Sequence, residues 1–246
     1  MKPALQPFVL VHGAWHGGWC WSRVAALLRN AGHAVLTPTL TGLGERAHLL
    51  TRGVDLDTHV TDIVNVFAAE EIEGAILVGH SYGGMVITGV ADRLAGSPSI
   101  SRLVYLDAFV PRSGECWADF HSPEVREATA ANARDHGEGW WIPQRKAAGF
   151  GVSDPEDAAW VDRRMTPQPF STYTHRLETA QGGAAKHPCA YIDCADPASP
   201  SFVETKNRIR NDHHWKYFAL PTGHDAMVTM PRELVEILIG LAGENR

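Results

Sequence analysis

The sequence predicts an α/β protein, a mostly parallel sheet covered on both faces by helices, with a largely helical segment inserted before the last strands. Short, wholly apolar runs at residues 8–11 and 75–78 are bounded by proline, glycine or histidine, the pattern of strands buried on both faces. Stretches with apolar residues at helical spacing lie between them. From Pro111 to Lys186 this alternation stops, and Trp117, Trp140, Trp141 and Trp160, half of the eight tryptophans, fall there among prolines and charges.

Taken in order, residues 8–11 form the first strand. Trp21, Val24, Ala25, Leu27 and Leu28 share a helical face that ends at Asn30-Ala31-Gly32, where the glycine suits a C-terminal cap. Residues 33–40 read as a second strand and 41–44 as a loop. A helix over 57–71 places Val60, Ile63, Val64 and Phe67 on one face. The buried strand at 75–78 leads through a tight glycine-containing turn into a helix over 83–94. The β-branched and aromatic run 101–106 is the next strand. Sheet pattern resumes at 190–192 and 217–220, and a helix over 231–241 closes the chain with Pro231 in its first turn. The division expected is a core of 1–111 and 186–246 with a cap of 112–185, one structural domain overall.

Composition narrows the function. The chain has 246 residues, 44% of them hydrophobic, enough for a sizeable core and against disorder. A formal net charge of −6 without a basic run leaves nothing to neutralise a phosphate backbone or hold a membrane surface, so neither nucleic acid nor membrane is an expected partner. The apolar stretch within the first thirteen residues is too short for a membrane span. Cys20, Cys116, Cys189 and Cys194 include no CxxC pair, which predicts reduced thiols, no disulfide and a cytoplasmic protein.

Gly79-His80-Ser81-Tyr82-Gly83 is a G-x-S-x-G pentapeptide between a predicted strand and a predicted helix, the context in which a serine hydroxyl is lifted above a sheet. The bland alternative is a helix start with Ser81 as N-cap. A serine nucleophile requires a histidine to take its proton and a carboxylate to orient that histidine. His224 follows the last predicted strand and is the best placed; His213 and His214 precede that strand and belong at its opposite, solvated end. For the acid, Asp196 is preferred, because the chain order Ser81, Asp196, His224 is that of an α/β-hydrolase. Asp107, at the end of the strand 101–106, is the rival. Oxyanion donors are expected at the N–H groups of Ala14 and Tyr82. The glycine-rich loop lacks both G-x-G-x-x-G and a P-loop lysine, which weighs against a dinucleotide site; no metal is expected.

The segments Val9 to Trp19, Gly79 to Met85 and Gly223 to Met227 together resemble the α/β-hydrolase group of plant methylesterases and hydroxynitrile lyases. Thr37 to Arg46 and Asp107 to Pro111 are similar to bacterial pyrethroid-hydrolase-type carboxylesterases. The resemblance implies an α/β-hydrolase fold and a serine carboxylesterase with a Ser-His-Asp triad and no cofactor. The similar lyases carry threonine and lysine where this chain has Gly13 and Asp225, and a carboxylate beside His224 disfavours a cyanide anion. The cap's aromatic content favours a hydrophobic or aromatic small-molecule ester, with Trp15, Trp140 and Trp141 as substrate contacts. A homodimer is compatible with all of this. Lyase or cyclase chemistry on the same scaffold, or a ligand-binding protein without turnover, are the alternatives.

Overall fold

The computed structural model describes residues 5–243, so the chain termini included in the expected core, 1–4 and 244–246, lie outside the described residues. Strand β1 (Phe8–Val11) is followed by helix α1 (Ser22–Asn30), then β2 (Val35–Leu36), α2 (Leu56–Ala69), β3 (Ala75–His80), α3 (Gly83–Arg93) and β4 (Ile100–Leu106). The intervening segment carries α4 (Pro123–His136), β5 (Trp141–Ile142), α5 (Pro155–Asp162), β6 (Gln168–Pro169) and α6 (Ser171–Thr174). The sheet then resumes with β7 (Cys189–Cys194), α7 (Val203–Ile209) and β8 (Trp215–Leu220), and α8 (Ala226–Thr229) and α9 (Pro231–Gly243) follow.

Six strands form one sheet in the order β2-β1-β3-β4-β7-β8, with every neighbouring pair parallel. All four residues of β1 and all six of β3 are buried, which is why both read as continuous apolar runs. The chain leaves β1 towards β2 on one side and returns to β3 on the other, so the loops after β1 and β3 face one crevice at the carboxyl ends of the strands. In open α/β sheets that switch point is where ligands bind.

Two expectations change. The strand expected over 33–40 shrinks to Val35–Leu36 at the sheet edge. Pro38 has no N–H for a ladder, while the Thr39 hydroxyl and the Leu40 N–H are committed to Gly18 and His12. Within the inserted segment a second, two-stranded sheet appears, antiparallel between β5 and β6. Its strands are two residues long and one contains proline, too short for an alternating pattern to show. The helices there start where their caps dictate. Ser122 accepts from the Val125 N–H and Asp154 from the Glu156 and Asp157 N–H groups, each with proline next in sequence.

Candidate active site

Ser81 lies in the turn between β3 and α3 with φ of 54°. Its N–H donates to the Leu106 carbonyl at 3.2 Å, and its own carbonyl accepts from the Phe109 N–H at 3.2 Å, so the turn is laced to the end of β4. The motif glycines answer a close approach. A Cβ on Gly79 would stand 2.7 Å from the Gly83 oxygen, and one on Gly83 would stand 2.9 Å from the Val11 and His12 oxygens. Trp15, Ser81 and Asp107 all have positive φ, and only Glu71 and Glu138 share that feature among the described non-glycine residues. Such strain, of order 1–3 kcal/mol per residue, gathers where a fold must aim a side chain.

His224 follows β8. Its ring lies between Phe202 and Phe150, nearly parallel to both, with centroids 5.1 and 5.9 Å away. The His80 ring is 4.4 Å away, and His80 Nε2 donates to the His224 carbonyl at 3.1 Å. Burial, followed by the neighbouring His224 and His16, holds His80 well below the usual histidine pKa, so it is a neutral donor.

The carboxylate on His224 belongs to Asp107. Its Oδ2 accepts from His224 Nδ1 at 2.7 Å, and the residue is fully buried immediately after β4. Asp196, preferred on chain order, is placed elsewhere. It is exposed, and its backbone N–H is bonded to the Thr222 carbonyl at 3.0 Å. The reason is local. β7 ends at Cys194 and the chain turns at Ala195–Ala198 before reaching α7, which carries the carboxylate to the surface. Asp107 instead follows β4 directly, in the left-handed backbone region with φ of 39°.

The loop after β1 is held residue by residue. His12 donates from Nδ1 to the Gly13 carbonyl at 2.8 Å and accepts from the Leu40 N–H at its other nitrogen, and burial pushes its pKa down to about 3. His16 donates from Nδ1 to the Ala14 carbonyl at 2.7 Å and from Nε2 to Asp225 at 3.1 Å. Burial opposes a charge on His16, but Asp225 and the Ala14 carbonyl outweigh it and raise the pKa, as expected of a ring donating from both nitrogens. Trp15 donates its N–H to Gln168 at 3.1 Å and its indole N–H to the Ile142 carbonyl at 3.3 Å, and accepts from the Thr166 N–H at 2.9 Å. Three bonds therefore tie the residue after Ala14 to the inserted segment. Among the described residues no protein acceptor engages the N–H of Ala14 or Tyr82.

Gly13 lies against the serine turn: a Cβ there would be 2.9 Å from Ser81 Cβ and from His80 Nδ1, leaving no space for a threonine. Asp225 is fully buried and directed at His16 and, at 3.8 Å, at His80. His213 and His214 are exposed before β8, as their position in the sequence predicts. Trp140 is half-buried; its indole N–H donates to Glu138 at 3.3 Å and Arg52 lies over its ring at 5.4 Å. Trp141 is half-buried and pairs its backbone with Pro169. Besides Phe150, the inserted segment brings Trp117 to the site, whose ring meets Trp15, Tyr82, Phe109 and Tyr173 with centroids 5.0–6.2 Å apart. Its sequence position carried no signal beyond aromaticity. Among the described residues no group of three or more His, Cys, Asp or Glu could hold a metal ion.

The model of the alpha/beta hydrolase family matches residues 8–237. The chain belongs to that family. A carbendazim hydrolyzing esterase from Nocardioides sp. (strain SG-4G) is 48% identical over 243 residues, covering 95% of this alpha/beta hydrolase and 98% of the relative. Methylesterase 2 of Arabidopsis thaliana is 35% identical over 279 residues, covering 96% of each chain. Among solved structures, an extracellular alpha/beta-hydrolase from a Paenibacillus species superposes with a TM-score of 0.82 at 23% identity, over 96% of this chain and 98% of that one. A pyrethroid hydrolase from Sphingobium faniae JZ-2 superposes with a TM-score of 0.74 at 23% identity, over 97% and 98%. These two structural likenesses bear on the fold.

Proposed function

We propose that the protein is a serine carboxylesterase that hydrolyses a small hydrophobic or aromatic ester through an acyl-enzyme. The observation that carries this reading is the 2.7 Å bond from His224 Nδ1 to a fully buried carboxylate, with Ser81 on a strained strand-to-helix turn of the same crevice. With Nδ1 bonded to Asp107, the imidazole presents Nε2 as base. Ser81 Oγ attacks the ester carbonyl, His224 takes its proton, and the N–H groups of Ala14 and Tyr82 receive the charge that develops on the carbonyl oxygen. Collapse breaks the ester C–O bond, and the alcohol leaves with the proton from His224. A water then loses its proton to the same nitrogen and attacks the acyl carbon; the bond from that carbon to Ser81 Oγ breaks, Oγ takes the proton back from His224, and the acid is released.

Cyanohydrin cleavage is disfavoured by Gly13 and by Asp225, whose carboxylate is spent on His16. Residues 112–185 are read as a cap, with Trp15 and Trp117 as aromatic surface for the ester. Four buried free cysteines fit a reducing compartment such as the cytoplasm. The test is turnover of a p-nitrophenyl ester series, aromatic methyl esters and carbendazim by wild type and Ser81→Ala. Ester turnover abolished in the variant is expected. Equal turnover in both, or none on any ester, would refute the reading.

A further inference from the structure

The connection between β7 and β8, where the sequence placed the triad acid, delivers a cation instead. Lys206 on α7 is 7% exposed, and its ammonium stands 3.0 Å from Asp107 Oδ1, the oxygen not used by His224. The same ammonium contacts Asp193 of β7 in a still closer ion pair. We infer that Lys206 is a positioning residue for ester hydrolysis, its ammonium anchoring the Asp107 carboxylate that in turn orients His224. This rests on the role given to Asp107 above.

The arrangement runs in one direction. Asp193 is steadied from the far side by the Tyr217 hydroxyl, which donates to its Oδ2 at 2.8 Å, and by Arg210 at 3.5 Å. Asp193 holds Lys206, Lys206 holds one oxygen of Asp107, and the other oxygen holds His224. No other side chain among the described residues bonds or ion-pairs with Asp107. Without Lys206 the carboxylate would be oriented only by the imidazole it has to orient. Phe202, from the same connection, lies nearly parallel to the His224 ring, so one segment supplies both the surface under the histidine and the charge behind its partner.

Packing alone does not call for a lysine here. An ammonium is costly to bury, and a methionine of similar length would fill the space without that cost. Burial works against the charge, yet Asp107 and Asp193 outweigh it and raise the Lys206 pKa, so the cation persists throughout the working range.

The experiment measures kcat and KM on a p-nitrophenyl ester for wild type, Lys206→Met, the double variant Lys206→Met/Asp193→Asn, and Asp107→Asn, with folding checked by thermal unfolding. Lys206→Met is expected to lose about ten- to hundredfold in kcat with KM within about twofold, since a misplaced catalytic group costs rate rather than binding. The double variant is expected to recover at least about threefold over Lys206→Met, because the second carboxylate no longer repels Asp107. Wild-type kcat in folded Lys206→Met, alongside a crippled Asp107→Asn, overturns this inference and leaves the esterase reading standing. So does a double variant no better than Lys206→Met, which would mark a packing defect. An active Asp107→Asn would instead remove the reading on which the inference rests.

Discussion

Replacing Asp107 by asparagine separates the two candidate acids by orders of magnitude. In the wild type, one carboxylate oxygen faces His224 Nδ1 at 2.7 Å and the other faces the Lys206 ammonium at 3.0 Å. An asparagine has one oxygen to offer. The ammonium takes it, because turning the amide would set an NH2 against a buried cation. The NH2 then faces His224 Nδ1, which must accept, and the ring proton moves to Nε2. A ring protonated at Nε2 cannot receive the Ser81 proton. The corresponding substitution in the Ser-His-Asp template lowers kcat by about 10⁴, and a loss of about 10³–10⁴ here corresponds to about 4–5.5 kcal/mol of transition-state stabilisation. Asp196→Asn, made on an exposed carboxylate, should stay within about twofold. The assay is steady-state hydrolysis of a p-nitrophenyl ester at pH 7.5, with thermal unfolding to show that both variants fold. An Asp107→Asn enzyme retaining a tenth of wild-type kcat, or an Asp196→Asn enzyme losing more than a hundredfold, would refute the reasoning.

Further substitutions probe the surroundings. Gln168→Ala deprives the Trp15 N–H of its acceptor and loosens the loop carrying Ala14, so kcat should fall about tenfold or more with little change in KM; unaltered kcat would detach the inserted segment from the proposed oxyanion donor Ala14. Gly84→Ala places a Cβ 2.1 Å from the Phe109 oxygen, a backbone clash expected to cost about 1–3 kcal/mol or more and to lower Tm by several degrees; an unchanged Tm would show that this contact yields freely. Because Asp225 raises the pKa of His16, their pairing stabilises fully below the unfolded histidine pKa of about 6.5 and fades as pH rises through the folded value. Asp225→Asn should therefore cost more stability at pH 6 than at pH 9 in urea titrations, and an equal cost at both would contradict a charged His16. His12 has the opposite sign: held down to about 3, it takes its proton first in the unfolded chain. It should withdraw up to about 1.4 kcal/mol of stability per pH unit below about 6.5, visible as a steeper acid loss in wild type than in His12→Asn.

The parallel core was readable because its strands are buried on both faces and interrupted by glycine-rich turns, as at Phe8–Val11 and Ala75–His80. The placement of Ser81 and His224 at strand ends was readable for a related reason, since each follows a strand that the sequence marks. Which carboxylate meets His224 was not, because both Asp107 and Asp196 follow strands, and the choice depends on where a chain turns after its last ladder bond. Chain order favoured one, while the backbone at Asp107, with φ of 39°, favours the other. The supporting residues His12, His16, Gln168 and Lys206 were beyond reach for a different reason. Each acts through a partner distant in sequence, such as Gln168 on Trp15 or Lys206 on Asp107, and neither periodicity nor a short motif encodes such a pairing. Trp140 is held by Glu138 and Arg52, partners that its own position in the sequence does not announce.

The most direct measurement is to inactivate the enzyme with a fluorophosphonate and locate the adduct by mass spectrometry, in wild type and in His224→Ala, alongside ester turnover. The expected result is a single phosphonyl group on Ser81 that appears in step with loss of turnover and forms far more slowly without His224. Full inactivation with the adduct on another residue, or ester turnover that persists with Ser81 fully modified, would contradict a serine nucleophile on this turn.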